Sequence, residues 1–368
     1  MTTATRTKRR GGTGCTIPSS DLKRALAAVA PAVAARGPKP VLANVLFKDG
    51  TVTATDLELR IEAPLPGADV TMLLPHERLT AIVNAAGAVD EIEITADGTK
   101  ATIRAGNGEW VLPTEDPLEF PGRADAEAKA IARLPADQWR TMASTVRFAT
   151  DTESSRYALG AVLVEFKAGT LSLVATDGRR LAIAECEVDQ ATDDSTTLAP
   201  RRAVDVLVRL AATGETVQLE ATPSELVATV DDKRIYARLI EGRFPRWRDV
   251  DVSHKVTPTL AIAGALAHAC SMASVCTSED SKGTDWRFTG EGIAISGQSS
   301  SFGVSSATCD IVEAGHATTV KLDPVFVLEW LRTIDQAETV TIEAKDDQSA
   351  VVFKAGDCRQ IVMPMAKE

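Results

Sequence analysis

Three aspartates stand where the chain could do chemistry: Asp56 in "TATDLELR", Asp177 in "LVATDGRRLAI" and Asp323 at the head of "DPVFVLEW". Paired carboxylates about 5–10 Å apart serve as acid and base or nucleophile in glycoside hydrolysis, so a hydrolase or lyase using Asp56, Asp177 or Asp323 is one reading. Asp56 and Asp177 occupy similar strand-end contexts, but each lies in its own copy of a repeated segment, so nothing brings them together. No nucleophile, base and orienting group are visible as a set. Asp-Gly between apolar runs has a plainer reading as a hairpin turn, because glycine accepts positive φ and aspartate bonds its own backbone. That accounts for Asp177 and Gly178. Arg179, Arg180 and the return to Leu181 and Ile183 require a surface that the turn displays.

Other chemistry is poorly supported. The six cysteines (15, 186, 270, 276, 309, 358) contain no CxxC pair, and the four histidines (76, 254, 268, 316) no HExxH. Neither a zinc motif nor a disulfide ladder follows, and the spread fits a reducing compartment. No metal and no cofactor is expected. The net charge of −11 argues against a uniformly basic nucleic-acid binder but not against basic residues gathered on one surface. At the N-terminus, "TKRRGG" followed by "ALAAVAPAVAA" imitates an export signal. However, Leu22, Leu26, Val29 and Val33 recur as one face of an amphipathic helix, with Asp21 near its start. No apolar run approaches the roughly 20 residues of a membrane span. The reading is a cytoplasmic protein with a disordered basic tail over 1–15.

Residues 74–94, 199–219 and 322–342 align with one another at offsets of 125 and 123. Leu79, Val204 and Val327 stand at matched places, as do Ile82, Leu207 and Trp330, and Val83, Val208 and Leu331. These spacings mark a helix face. Each helix then passes into alternation, at Ile92/Ile94, Val217/Leu219 and Val340/Ile342, the pattern of a strand with one buried face. An earlier helix precedes each, over 21–35, 137–149 and 262–276, and Phe120-Pro121 returns as Phe244-Pro245. The chain is therefore α+β, three repeats of two helices packed on antiparallel sheet. The divisions fall at 16–125, 126–252 and 253–368. Unpaired edge strands on such units invite pairing with a neighbour, and two arcs of three units could close on a two-fold axis.

"SSRYALGAVLVE", "LVATDGRRLAI", "LIEGRFPRWRDV" and the closing "IVMPM", on that repeat and in that order, resemble the bacterial beta sliding clamp family, the processivity subunit of DNA polymerase III. The resemblance runs from about residue 16 to the C-terminus. It implies a non-catalytic ring, a head-to-tail homodimer of about 78 kDa, twice the 39.0 kDa chain. Such a ring encircles double-stranded DNA without reading sequence and binds DNA polymerase III, the clamp loader and other clamp-binding proteins. Carried over, the pocket for partner peptides would be Leu159, Thr176, Gly178, Arg179, Leu181, Pro245, Val250, Ile361, Met363 and Met365, with Arg156 and Arg180 beside it. Apolar walls with a few polar groups suit a peptide anchor, and methionines adapt to several partners. Arg179 stands where the family usually has His and Ala158 replaces an aromatic, so a specialised paralogue working outside the main replisome is a second reading.

The resemblance also implies a DNA-facing set: Arg24, Arg140, Arg147, Arg201, Arg202, Arg209 and Arg332. Arg202 and Arg209, seven apart, share a helix face, as do Arg140 and Arg147. Arg78 matches a position at the subunit junction, and the opposing junction helix would run through Val275 and Cys276.

Overall fold

The computed structural model of the 368-residue chain describes residues 13–34, 39–124, 126–151, 157–188, 193–277 and 282–366. They fall into two compact units, residues 1–130 with 216–238, and residues 131–215 with 239–368. The expected tail lies outside the described residues over 1–12, but not over 13–15. Thr13–Pro18 is a strand, paired from Thr13↔Ala96 to Pro18↔Glu91, because its bonding groups complete the edge of a sheet.

In the first unit, helix α1 (Ser19–Val29) buries Leu22, Leu26 and Val29, the face read from their spacing. It is shorter than expected: Ala30–Ala32 continues as a 3₁₀ turn containing Pro31, which has no N–H for an α-helical bond. Helix α2 (His76–Ala86) packs beside it and buries Leu79, Ile82 and Val83. A four-stranded sheet runs Thr13–Pro18, Glu91–Ala96, Lys100–Ala105, Gly108–Pro113. A second sheet runs Met72–Pro75, Asn44–Lys48, Thr51–Thr55, Leu59–Pro64, Lys233–Arg238, Glu225–Val230, Thr216–Ala221. Its centre is the antiparallel pairing of Leu59–Pro64 with Lys233–Arg238, which joins strands far apart in sequence.

The second unit repeats this plan. Helices α3 (Ala136–Val146) and α4 (Arg201–Leu210) pack together, and after the short α5 (Trp247–Val250) so do α6 (Ala263–Ala273) and α7 (Pro324–Leu331). One sheet has eight strands: Ser195–Pro200, Ala161–Lys167, Thr170–Thr176, Arg180–Glu187, Cys358–Val362, Val351–Ala355, Thr339–Glu343, Thr259–Ile262. The other runs Gly303–Cys309, Ile293–Ser299, Thr284–Phe288, Thr318–Leu322. Few aromatics suffice because they are concentrated: Phe353 lies 6.2 Å, ring to ring, from both Trp286 and Trp330, and all three are fully buried. The matched positions of the repeat are core in both units, except Val208, which is half-buried.

Helix α6 ends at Ala273, so Val275 and Cys276 lie beyond it rather than on a helix, a correction to the expected 262–276. Ser274 caps the end: its Oγ donates to Ser271 O at 2.9 Å, and the N–H of Val275 reaches back only three residues, to Met272 O. No helix among the described residues is long and apolar enough to cross a membrane.

Candidate functional site

Asp177 holds a turn. Its Oδ1 accepts from the N–H groups of Arg179 (2.9 Å) and Arg180 (3.0 Å), while Thr176 Oγ1 donates to Arg180 O (2.6 Å) and accepts from Gly178 N–H (3.1 Å). Asp56 does the same: its Oδ1 accepts from Glu58 and Leu59 N–H, and Thr55 Oγ1 donates to Leu59 O. At the place of Gly178 (φ 86°) stands Leu57, with φ 80° in a region that leucine rarely adopts and an exposed side chain. Asp323 caps α7, accepting from Val325 N–H at 2.9 Å. Its burial lifts the carboxyl above the usual range, against the lowering effects of that bond and of Lys282, Arg180 and Arg179. All three aspartates are therefore engaged as backbone anchors. Burial also pushes the thiols of Cys15, Cys186 and Cys309 up to about 11 and that of Cys270 to about 12, so these four are protonated at neutral pH and poor nucleophiles.

Arg180 is the central residue of this hairpin, and its guanidinium points inward. It is only 7% exposed. Nε donates to Asp177 Oδ2 (3.0 Å), Nη1 to Glu329 on α7 (2.5 Å) and Nη2 to Phe148 O (3.1 Å). The charge lies over the rings of Phe326 and Phe148, at 4.4 and 5.0 Å. It locks the turn to α7 and is not a solvent-facing cation of a pocket rim.

The remaining pocket candidates divide between two places. On the hairpin side, Leu181 pairs with Ile361 across adjacent strands, and both are buried. Just beyond, Met363 donates its N–H to Arg179 O (2.9 Å), and Met365 donates to Lys321 O (2.8 Å). Gly178, Arg179 and Met363 are exposed there, whereas Thr176 is buried within the turn. On the other side, Leu159 and Pro245 line a 320 Å³ cavity with Ala158, Phe244, Arg243 and Arg246. Residues 243–246 also line a 470 Å³ groove floored by Leu163, Leu198 and Trp247. One apolar cluster links the two places: Leu181 and Ile361 pack with Trp247, and against Ala158 and Phe244. Val250, at the end of α5, is exposed. Arg156 lies outside the described residues.

Trp247, Phe244, Arg243 and Arg246 line this candidate groove but are not among the expected pocket residues, although "GRFPRWRDV" contains them; an aromatic on either side of Pro245 and Arg246 is the available signal. Arg248 supports Trp247, lying 4.0 Å over its ring while pairing with Glu165 at 2.5 Å.

The arginines expected to face DNA are not equivalent. Arg140, Arg202, Arg209 and Arg332 are exposed. Arg147 donates to Asp205, and Arg201 lies 3.8 Å from the same carboxylate, one helical turn away on α4. Asp205 thus offsets the two cations nearest it. In the first unit, Arg24 is 2.8 Å from Asp21 with its side chain 70% exposed, and Arg78 is exposed on α2. Near Val275 the second unit also exposes Met272, and the hairpin leading into Gly303–Cys309 exposes Phe302 and Val304.

Helix pairs backing antiparallel sheets, repeated along the chain and open at sheet edges, are the build of a DNA clamp. The family model for the DNA polymerase III beta subunit N-terminal domain matches residues 14–124, and that for its central domain matches residues 133–246. The beta sliding clamp of Salmonella typhimurium is 25% identical over 365 residues, covering 95% of this chain and 99% of the relative. That of Vibrio cholerae is 25% identical over 364 residues, with the same coverage. Among solved structures, the Pseudomonas aeruginosa sliding clamp bound to griselimycin superposes with a TM-score of 0.90 at 23% identity, covering 97% of this chain and all of that one. The Bacillus subtilis clamp gives 0.88 at 19% identity, with the same coverage. The chain belongs to the DNA polymerase III beta subunit family, the beta sliding clamps.

Proposed function

We propose that the protein is a sliding clamp without catalytic activity, two copies of which close head to tail around duplex DNA and tether DNA polymerase III and repair factors to it. One observation carries this reading. Within each unit an antiparallel strand pair, Leu59–Pro64 with Lys233–Arg238 or Arg180–Glu187 with Cys358–Val362, fuses distant chain segments into one long sheet. The same operation is left undone, among the described residues, at Gly108–Pro113 and Gly303–Cys309, each one of the two edges of a four-stranded sheet. Pairing those edges between two copies would satisfy both and close a ring. Arg78 on one side would meet Met272, Val275, Cys276 and Val304 on the other. We take 16–125, 126–252 and 253–368 as the three domains of each half-ring. The cytoplasm is the proposed compartment, supported by cysteines that are all free thiols among the described residues.

The groove and the hairpin face are the proposed dock for partner peptides with leucine or phenylalanine anchors. Leu181 is a poor probe of it, because truncating this buried side chain would cost roughly 2–5 kcal/mol of stability. Met363 and Val250 are 44% and 45% exposed. Met363→Ala with Val250→Ala is expected to weaken binding of a fluorescent partner peptide by about tenfold, because less apolar surface is removed from water when the peptide docks. The thermal midpoint should stay unchanged. Undiminished peptide affinity would show that the dock lies elsewhere.

The DNA face predicts a second pair of results. Arg202→Ala with Arg209→Ala should lower the salt slope of duplex binding by up to about two units. Asp205→Asn should raise duplex affinity at low salt, since it releases Arg147 and Arg201 from their shared carboxylate. Both are read from binding isotherms on linear duplex across a salt series; an unchanged slope or a weaker Asp205→Asn complex would remove α4 from the DNA face.

A further inference from the structure

We propose that the groove beside α5 selects partner peptides whose apolar anchor is flanked by aspartate or glutamate; this rests on the peptide-docking reading above and adds the chemistry of the partner. The floor is apolar, with Leu159, Phe244, Pro245 and Trp247 forming or supporting its walls. The rim is not. Arg243 and Arg246 border both the 320 Å³ cavity and the 470 Å³ groove, one on each side of Phe244-Pro245, and both side chains are exposed.

Neither arginine has a carboxylate partner among the described residues, whereas the third arginine of the segment, Arg248, is taken by Glu165. Asp249 lines the same groove, but beyond Trp247 and Arg248 in sequence. At the hairpin end, Arg179 is also exposed, but Asp323 lies close enough to feel its charge. Two guanidiniums without a carboxylate partner among the described residues, over an apolar floor, give this rim a charge opposite in sign to the protein's net charge of −11. Guanidiniums at exposed rims recognise carboxylates by paired hydrogen bonds, and they steer association more than they add affinity. A nucleic-acid backbone would also meet two arginines, but it has no apolar anchor for the floor between them. The observations therefore favour a peptide.

The test uses the full-length protein and two short fluorescein-labelled peptides with the same leucine and phenylalanine anchors, one flanked by aspartates and the other by serines. Fluorescence anisotropy at low salt should show the aspartate peptide binding roughly five- to tenfold tighter, as expected for one or two exposed ion pairs. The advantage should shrink at high salt. Arg243→Gln with Arg246→Gln should remove the advantage, bringing the affinities of the two peptides within about twofold of each other, a change these exposed sites permit without refolding. Equal affinities for the two peptides at low salt would overturn the charge preference while leaving the dock in place. No binding of either peptide would overturn both the dock and the preference. Loss of duplex binding in the double variant, with peptide discrimination intact, would assign the arginines to nucleic acid and overturn the proposal.

Discussion

Arg180→Ala is expected to destabilise the second unit by about 3–5 kcal/mol, the range for removing one member of a buried charge set. The magnitude follows from what the variant leaves behind. Asp177 would keep its backbone bonds but lose the guanidinium that neutralises it. Glu329 would lose its 2.5 Å partner, and Phe148 O its donor. The rings of Phe148 and Phe326 would face a hole. Glu329 is partly exposed, so water recovers some of its loss and the lower half of the range is the better expectation. Arg180→Met, which refills the volume without a charge, should destabilise less than alanine because the packing against both rings is retained. Denaturant unfolding followed by tryptophan fluorescence reads the change. A loss under about 1 kcal/mol would mean that the pairing is no stronger than a surface ion pair.

A coupling prediction is built into the same residue. The hairpin that Arg180 holds also carries Gly178 and Arg179, and Arg179 O accepts the N–H of Met363. Loosening the turn therefore frees both sides of the hairpin end of the proposed dock, and peptide affinity should fall along with stability in the alanine variant.

The role of Arg180 shows where sequence reasoning stopped. The Asp-Gly turn was legible because its chemistry is local: the bonds of Asp177 reach two and three residues along the chain. The direction of the Arg180 side chain was not, since it is set by Phe148 and Glu329, 32 and 149 residues away. The same distinction separates the arginines of α4. Arg201 and Asp205 are four apart on one helix, a pairing the spacing itself offers, whereas the hold of Asp205 on Arg147 depends on how α3 packs against α4. Likewise, the repeat was readable from Leu79, Val204 and Val327 because helix and strand periods are written into consecutive residues. Trp247 joins the candidate groove only through the fold, which packs it in one apolar cluster with Leu181 and Ile361. The end of α6 was misjudged because Val275 and Cys276 continue an apolar run, while the bonding of Ser274 that ends the helix leaves little mark on hydrophobic pattern.

The central claim is encirclement, and retention on circular DNA tests it most directly. The protein is acidic overall, and its cations near α4 are partly offset by Asp205, so direct contacts with duplex should be few, insensitive to sequence and steeply weakened by salt. A closed ring is instead held by topology, which salt does not weaken in the same way. The measurement is the half-life of protein loaded onto nicked circular DNA, followed at high salt before and after the circle is cut to a linear molecule. The predicted result is prolonged retention on the circle and rapid loss from the free ends once it is cut. Equal half-lives on the two forms would contradict encirclement, and with it the function assigned to this protein.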